Sequence, residues 1–152
     1  AGRVQLLGSL DDADLLAHLA AADVFCLPSM LRSEAYGIVM LEAMACGRPV
    51  VSCRIEGSGV PWINQHGVTG LHVEPRRPDE LAQALSQLVQ NPGLAEQYGA
   101  AGRRRFLKTF LADRMTWQTL DLYRSLLVPR VAAAPSCNSC GFCVETECTD
   151  LQ

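Results

Sequence analysis

The stretch Asp23-Val24-Phe25-Cys26-Leu27-Pro28-Ser29, the loop Met30-Leu31-Arg32-Ser33-Glu34-Ala35-Tyr36-Gly37, the run Ile38-Val39-Met40-Leu41-Glu42-Ala43-Met44-Ala45-Cys46 and the segment Gly47-Arg48-Pro49-Val50-Val51-Ser52-Cys53 decide the fold. Residues 23–27 are a short, nearly continuous apolar run stopped by Pro28, which reads as a strand covered on both faces. Residues 38–46 are helical in pattern and end at Gly47 and Pro49, a helix stop signal. Residues 49–53 are a second buried strand. Strand, helix and strand with a short connection at each end predict a parallel α/β unit, in which ligands bind at loops leaving the carboxyl ends of the strands.

Outward from this centre the same alternation continues. Val4-Gln5-Leu6-Leu7, closed by Gly8, reads as an earlier strand. Asp11, Asp12 and Asp14 precede Leu15, Leu16, Leu19 and Ala22 at helical spacing, and acids suit the positive end of a helix dipole. The Gly-rich connection Gly57-Ser58-Gly59 leads to Pro61-Trp62-Ile63, and Leu71-His72-Val73 is a short strand after a turn bracketed by Gly67 and Gly70. Helices are predicted from Pro78, from Leu94 to Phe110 and from Met115 to Leu127, with Asn91-Pro92 as a break.

The chain has 152 residues, 49% hydrophobic and 19% charged, which fits one globular body and excludes wholesale disorder. No apolar run approaches the ~18 residues of a membrane span. A net charge of −3 argues against a general affinity for nucleic acid. Cys26, Cys46 and Cys53 sit in apolar stretches as small hydrophobes. Cys137, Cys140, Cys143 and Cys148 crowd the end. The expected organisation is a body over residues 1–128 and a linker with a Cys-rich tail over 129–152, poorly ordered.

The loop from Pro28 to Gly37 carries the chemistry. Gly37 lacks a Cβ, so a ligand can approach its backbone, and the free N–H groups of Gly37, Ile38 and Val39 at a helix start favour an anion such as diphosphate. Glu34 lies before the helix and Glu42 about a turn and a half inside it, so both can serve one pocket from different heights. Carboxylates accept hydrogen bonds from the vicinal hydroxyls of sugars and riboses. The bland reading of each acid is a solvated or capping residue. His66 reads as a turn residue, His18 as a structural one, and Arg103-Arg104-Arg105 as a solvated face. Trp117 and Tyr123 read as packing.

In order and spacing, residues 22–29 and 33–51 resemble the donor-binding core of retaining glycosyltransferases of family four, with Glu34 and Glu42 matching its Glu, seven residues, Glu signature. Gly59-Val60-Pro61-Trp62-Ile63-Asn64-Gln65, Gly67-Val68-Thr69-Gly70-Leu71 and Pro78-Asp79-Glu80-Leu81 continue the likeness, which covers about residues 3 to 127. Gly59-Val60-Pro61 looks most like bacterial mannosyl- or rhamnosyltransferases. The resemblance implies a partial Rossmann-like C-terminal domain of the GT-B fold, with a parallel sheet and C-terminal helices. It implies Glu34 on the transferred sugar as the catalytic position, Tyr36, Gly37, Ile38 and Val39 on the sugar and distal phosphate, and Glu42 on the ribose.

The resemblance also implies retention of configuration without a bound metal or other cofactor, a nucleotide-diphosphate sugar as donor and a glycan or lipid-linked hydroxyl as acceptor. The segment from Arg3-Val4 to Gly8 would lie near the base. An Arg/Lys pair and an N-terminal acceptor domain, both part of the family pattern, precede the matched region, so a chain truncated at its N-terminus and inactive alone is expected. The implied setting is cytoplasmic, with attachment to the inner face of the membrane as an alternative. Two competing expectations stand beside the enzyme: a non-enzymatic nucleotide-sugar-binding fragment, and a tail whose C-x2-C-x2-C-x4-C spacing binds zinc or an iron–sulfur cluster through Cys137, Cys140, Cys143 and Cys148.

Overall fold

A computed structural model describes residues 3–127; the four tail cysteines lie outside the described residues. The elements are α1 (Asp12–Ala21), β1 (Phe25–Leu27), α2 (Ile38–Ala45), β2 (Val50–Cys53), α3 (Val60–Ile63), β3 (Gly70–Val73), α4 (Pro78–Gln90), α5 (Pro92–Thr109) and α6 (Ala112–Leu127). The chain divides into two compact units at Thr116, so α6 begins in the first and runs on in the second.

The sheet of the first unit is parallel, in the order β1-β2-β3. Phe25 pairs with Val50 and Leu27 with Ser52, and Val50 pairs with Gly70 and Cys53 with Val73. Parallel neighbours need a crossover, and α2 supplies the one between β1 and β2. The central strand, β2, is buried along its whole length. Met40, Met44, Val50, Val51, Val60, Ile63 and Leu88 are fully buried and join α2, β2, α3 and α4 into one core.

Local chemistry accounts for most boundaries. Asp11 caps α1 through its side chain, which accepts from the Asp14 amide at 2.8 Å. Pro61, Pro78 and Pro92 sit in the first turns of α3, α4 and α5, where a missing N–H costs nothing. Pro92 therefore starts α5 two residues ahead of the expected Leu94. At Gly99 a Cβ would collide with the carbonyl of Gly47, so the absence of a side chain there lets α5 lie against the end of α2.

Inside the core one amide links the strands. Asn64 Nδ2 donates to the carbonyls of Val50 and Leu71, both at 3.2 Å, and to Ser52 Oγ at 2.9 Å. Its Oδ1 accepts from Thr69 Oγ1 at 3.0 Å. Asn64, Ser52 and Thr69 are the buried polar residues among those described, and this shared network satisfies them.

Two expectations are corrected in the first unit. Val4–Leu7 forms no strand; Val4 and Leu6 are 83% and 93% exposed. A strand exists only by pairing, and β1 pairs only with β2, leaving that segment without a ladder. Arg103 and Arg105 are not simply solvated. Arg103 Nη1 donates to the Ala45 carbonyl at 3.1 Å, and Arg105 donates to the carbonyls of Ile63 at 3.2 Å and Trp62 at 2.6 Å. Each closes the carboxyl end of a short helix, which removes orphan acceptors.

The second unit contains the later turns of α6. The helical spacing of Trp117 and Tyr123 predicts packing, yet no residue of α6 is buried. Trp117, Leu120, Tyr123 and Leu127 are exposed.

Candidate functional site

The loops that follow β1 and β2 meet at the carboxyl edge of the sheet. Ser58 Oγ donates to the Glu34 carbonyl at 2.6 Å, and the Gly59 amide donates to the Ala35 carbonyl at 2.7 Å. Ser58 Oγ also accepts from the Val60 amide at 3.1 Å, so one hydroxyl ties the Glu34 loop to the start of α3. The guanidinium of Arg32 lies over Gly57, where a Cβ would stand 3.0 Å from Arg32 Cζ. The Gly-rich connection is thus the wall against which the residue 28–37 loop is folded.

Glu34 is half-buried and its Oε2 accepts from Ser29 Oγ at 3.2 Å. Ser29 immediately follows the Pro28 that stops β1, so the strand end positions the carboxylate. This leaves Oε1 with no acceptor role filled by a described residue.

At Gly37 the backbone turns into α2 with φ 74° and ψ 55°, a left-handed conformation that glycine adopts at little cost. An added Cβ would stand 2.8 Å from Met40 Cε and 3.0 Å from Leu27 Cδ2. The missing side chain therefore makes room on the core side, so Gly37 is required by the turn itself. The consequence for chemistry is indirect: this turn sets where α2 begins.

No side chain caps α2. The Ile38 and Val39 amides accordingly remain open to a ligand, and the helix dipole favours negative charge at that end. The buried face of α2 carries Met40, Ala43 and Met44. Glu42 is half-buried, one helical turn from Ile38 and Val39 on the same side of the helix, with no side-chain partner among the described residues. Glu34 thus lies in the loop before α2, and Glu42 lies within α2, one turn beyond its start. Tyr36 is exposed and its ring lies 6.3 Å from that of Trp62.

The sequence singles out the segment that holds Trp62, but not the cluster that Trp62 forms. Its ring meets Phe110 edge-on at 5.1 Å, and the Arg105 guanidinium sits over it at 5.3 Å from the centroid. Arg105 is 43 positions from Trp62 and Phe110 is farther still, so no local pattern could reveal the cluster. His66 is a turn residue with a partner: its Nδ1 accepts from the His72 amide at 2.9 Å. His72 Nε2 donates to the Asn64 carbonyl at 2.6 Å, and burial is the main cause that holds its pKa below the usual 6.5. Burial also raises the thiol pKa values of Cys26 and Cys53, which keeps them protonated as small core groups.

No group of three or more His, Cys, Asp or Glu side chains able to hold a metal occurs among the described residues. No described helix is long and apolar enough to cross a membrane. A separate cavity of about 510 Å³ at the amino end of β2 is lined by Asp23, Arg48 and Glu96 among others and includes neither Glu34 nor Glu42.

A parallel three-stranded sheet packed by helices in this order has the architecture of GT-B glycosyltransferases, which are its structural neighbours. The chain belongs to the family described as glycosyl transferases group 1, whose model matches residues 1–105. It is 40% identical over 126 residues to O-antigen chain mannosyltransferase C of Escherichia coli, covering 82% of this chain and 33% of that protein. It is 41% identical over 109 residues to the D-rhamnosyltransferase WbpZ of Pseudomonas aeruginosa, covering 72% and 28%. Among solved structures, sucrose-phosphate synthase from Thermosynechococcus elongatus aligns with a TM-score of 0.74 at 34% identity, over 82% of this chain and 30% of that one. Anabaena HepE, solved in complex with UDP and glucose, aligns with a TM-score of 0.72 at 25% identity, over 82% and 32%. The chain thus spans about a third of the length of the curated relatives it matches.

Proposed function

We propose that this chain carries the donor-binding part of a retaining glycosyltransferase that moves a hexose from a nucleotide-diphosphate sugar to an acceptor hydroxyl on a glycan or lipid-linked saccharide. The observation that carries the reading is the uncapped start of α2 with Glu34 in the loop before it and Glu42 one turn in. The complex of Anabaena HepE with UDP and glucose supports a nucleotide sugar as ligand.

In this reading the amides at Gly37, Ile38 and Val39 hold the distal phosphate and the sugar, with Tyr36 beside them. Glu34, steadied by Ser29, accepts from hydroxyls of the transferred sugar. Glu42 accepts from the ribose hydroxyls. The acceptor oxygen bonds to the anomeric carbon as the bond to the diphosphate breaks, and its proton passes to the departing phosphate on the same face, which retains the configuration. No metal is assigned to this step. Positive charge on the departing diphosphate is worth ~3 kcal/mol or more. Arg32 is engaged over Gly57, and the remaining charge is assigned to the Arg/Lys pair of the family pattern, with the acceptor held mostly by an N-terminal domain. The chain alone is expected to bind donor and not to turn it over. We place the enzyme in the cytoplasm, with its acceptor at the inner face of the membrane where that acceptor is lipid-linked.

Calorimetric titration of the full chain with UDP-glucose and GDP-mannose tests the assignment. Binding of at least one of them by the parent, weakened about tenfold or more in Glu42→Ala, is expected from the loss of hydrogen bonds to a charged acceptor. Equal affinity of parent and variant for a donor that binds would remove Glu42 from the site.

A further inference from the structure

Beside the donor loop, a cavity of about 830 Å³ opens at the carboxyl ends of β2 and β3. Arg32, Arg54, Glu56, Ser58, Trp62 and Glu74 are among the residues that line it. Ser58 joins it directly to the backbone of Glu34. Trp62, one of the lining residues, is 53% exposed overall, a large apolar surface to leave in water. The ring is nonetheless fixed in place. Arg105 covers it at 5.3 Å and donates to the Trp62 carbonyl at 2.6 Å, while Phe110 abuts it edge-on.

The polar lining is ionic but of both signs. Arg54 and Glu74 approach only to 3.8 Å and are more than half exposed, a weak pair whose groups remain available to a ligand. A lining with two guanidiniums and two carboxylates favours neither an anion nor a cation. It does match a neutral ring rich in hydroxyls, because each hydroxyl can accept from a guanidinium and donate to a carboxylate. The C–H face of such a ring is apolar and flat enough to lie on an indole. A rigid, exposed indole among planar hydrogen-bonding groups therefore selects a sugar.

We propose that this cavity is a saccharide subsite in which Trp62 stacks a sugar ring of the acceptor, next to the transferred sugar at Glu34. The identification of that saccharide as the acceptor rests on the transferase reading above. The binding of a saccharide at Trp62 does not.

The test uses the full ¹⁵N-labelled chain, whose two tryptophans, Trp62 and Trp117, give separate indole N–H signals assigned through Trp62→Phe and Trp117→Phe. Methyl α-mannoside and mannobiose are titrated to concentrations on the order of tens of millimolar, the range of weak binding. A saturable shift of the Trp62 signal with Trp117 unmoved is expected. Trp62→Ala should weaken mannobiose binding about tenfold or more, and Trp62→Phe, which keeps an aromatic face and the contact with Phe110, should weaken it less. No saturable shift at Trp62, or unaltered mannobiose affinity in both folded variants, would overturn the subsite. Donor calorimetry on the same sample separates the two readings. Donor binding with Trp62 unmoved by saccharide contradicts the subsite alone. A moving Trp62 without donor binding supports the subsite and contradicts the donor assignment.

Discussion

Replacing Gly37 by alanine separates what the turn needs from what a ligand needs. The backbone at residue 37 has φ 74°, and placing an L side chain there costs about 1–2 kcal/mol. The new Cβ would stand 2.8 Å from Met40 Cε and 3.0 Å from Leu27 Cδ2. The methionine end can swing away, but Leu27 belongs to β1, and an off-rotamer side chain costs roughly 0.5–1.5 kcal/mol. Together these give a loss of about 2 kcal/mol in the unliganded chain. With a urea slope of about 1–3 kcal/mol per molar, the unfolding midpoint followed by circular dichroism should fall by about 1 M at unchanged slope.

Gly8→Ala is the internal comparison. Gly8 has nearly the same φ, 70°, but a Cβ there has nothing within 4 Å. It also lies in exposed chain outside any element, free to relax. Its loss should be well under half that of Gly37→Ala. If Gly37→Ala is as stable as the parent, or loses no more than Gly8→Ala, the glycine is not required by the turn, and the packing around it is not what sets where α2 begins.

Two further outcomes follow from the core. Asn64→Leu keeps the volume but leaves the Ser52 hydroxyl without its amide donor and takes from Thr69 Oγ1 its buried acceptor, leaving that hydroxyl only its contacts with the Gln65 backbone, so it should cost about 2 kcal/mol; a urea midpoint equal to the parent's would contradict the network. His72 is held neutral by burial, with its pKa below 6.5 in the fold. The unfolded chain therefore takes up a proton first as pH falls. The stability that His72 contributes is complete above about pH 6.5 and is lost below it, down to its folded pKa. Unfolding free energies measured at about pH 7.5 and about pH 5.5 should differ less in His72→Gln than in the parent; an identical pH dependence would refute the assignment.

The legible parts of this structure are those written locally. β1, α2 and β2 follow from an apolar run stopped by Pro28, a helical pattern ended at Gly47, and a second apolar run. Glu42 could be placed one turn inside α2, beside Ile38 and Val39, because a helix fixes the angle between neighbouring turns. What could not be read depends on partners distant in the chain. The Val60–Ile63 turn is closed by Arg105, 42 residues away from Ile63, so neither the short helix nor the role of that arginine has a local signature. Val4–Leu7 has the composition of a strand, but composition does not supply a neighbour to pair with. Asn64 and Trp62 acquire their importance only when β2, β3 and α5 are brought together. Gly37 is legible as a special residue, and the structure changes the reason from ligand approach to backbone turn and core packing.

The central claim, that the start of α2 receives the diphosphate of a nucleotide sugar, is tested most directly by amide chemical-shift mapping of the full ¹⁵N-labelled chain with UDP-glucose and GDP-mannose. The donor that binds should produce its largest shifts at Ile38 and Val39, with Glu34 and Glu42 next. Shifts centred on Asp23, Arg48 and Glu96 at the amino end of β2, with Ile38 and Val39 unmoved, would contradict it.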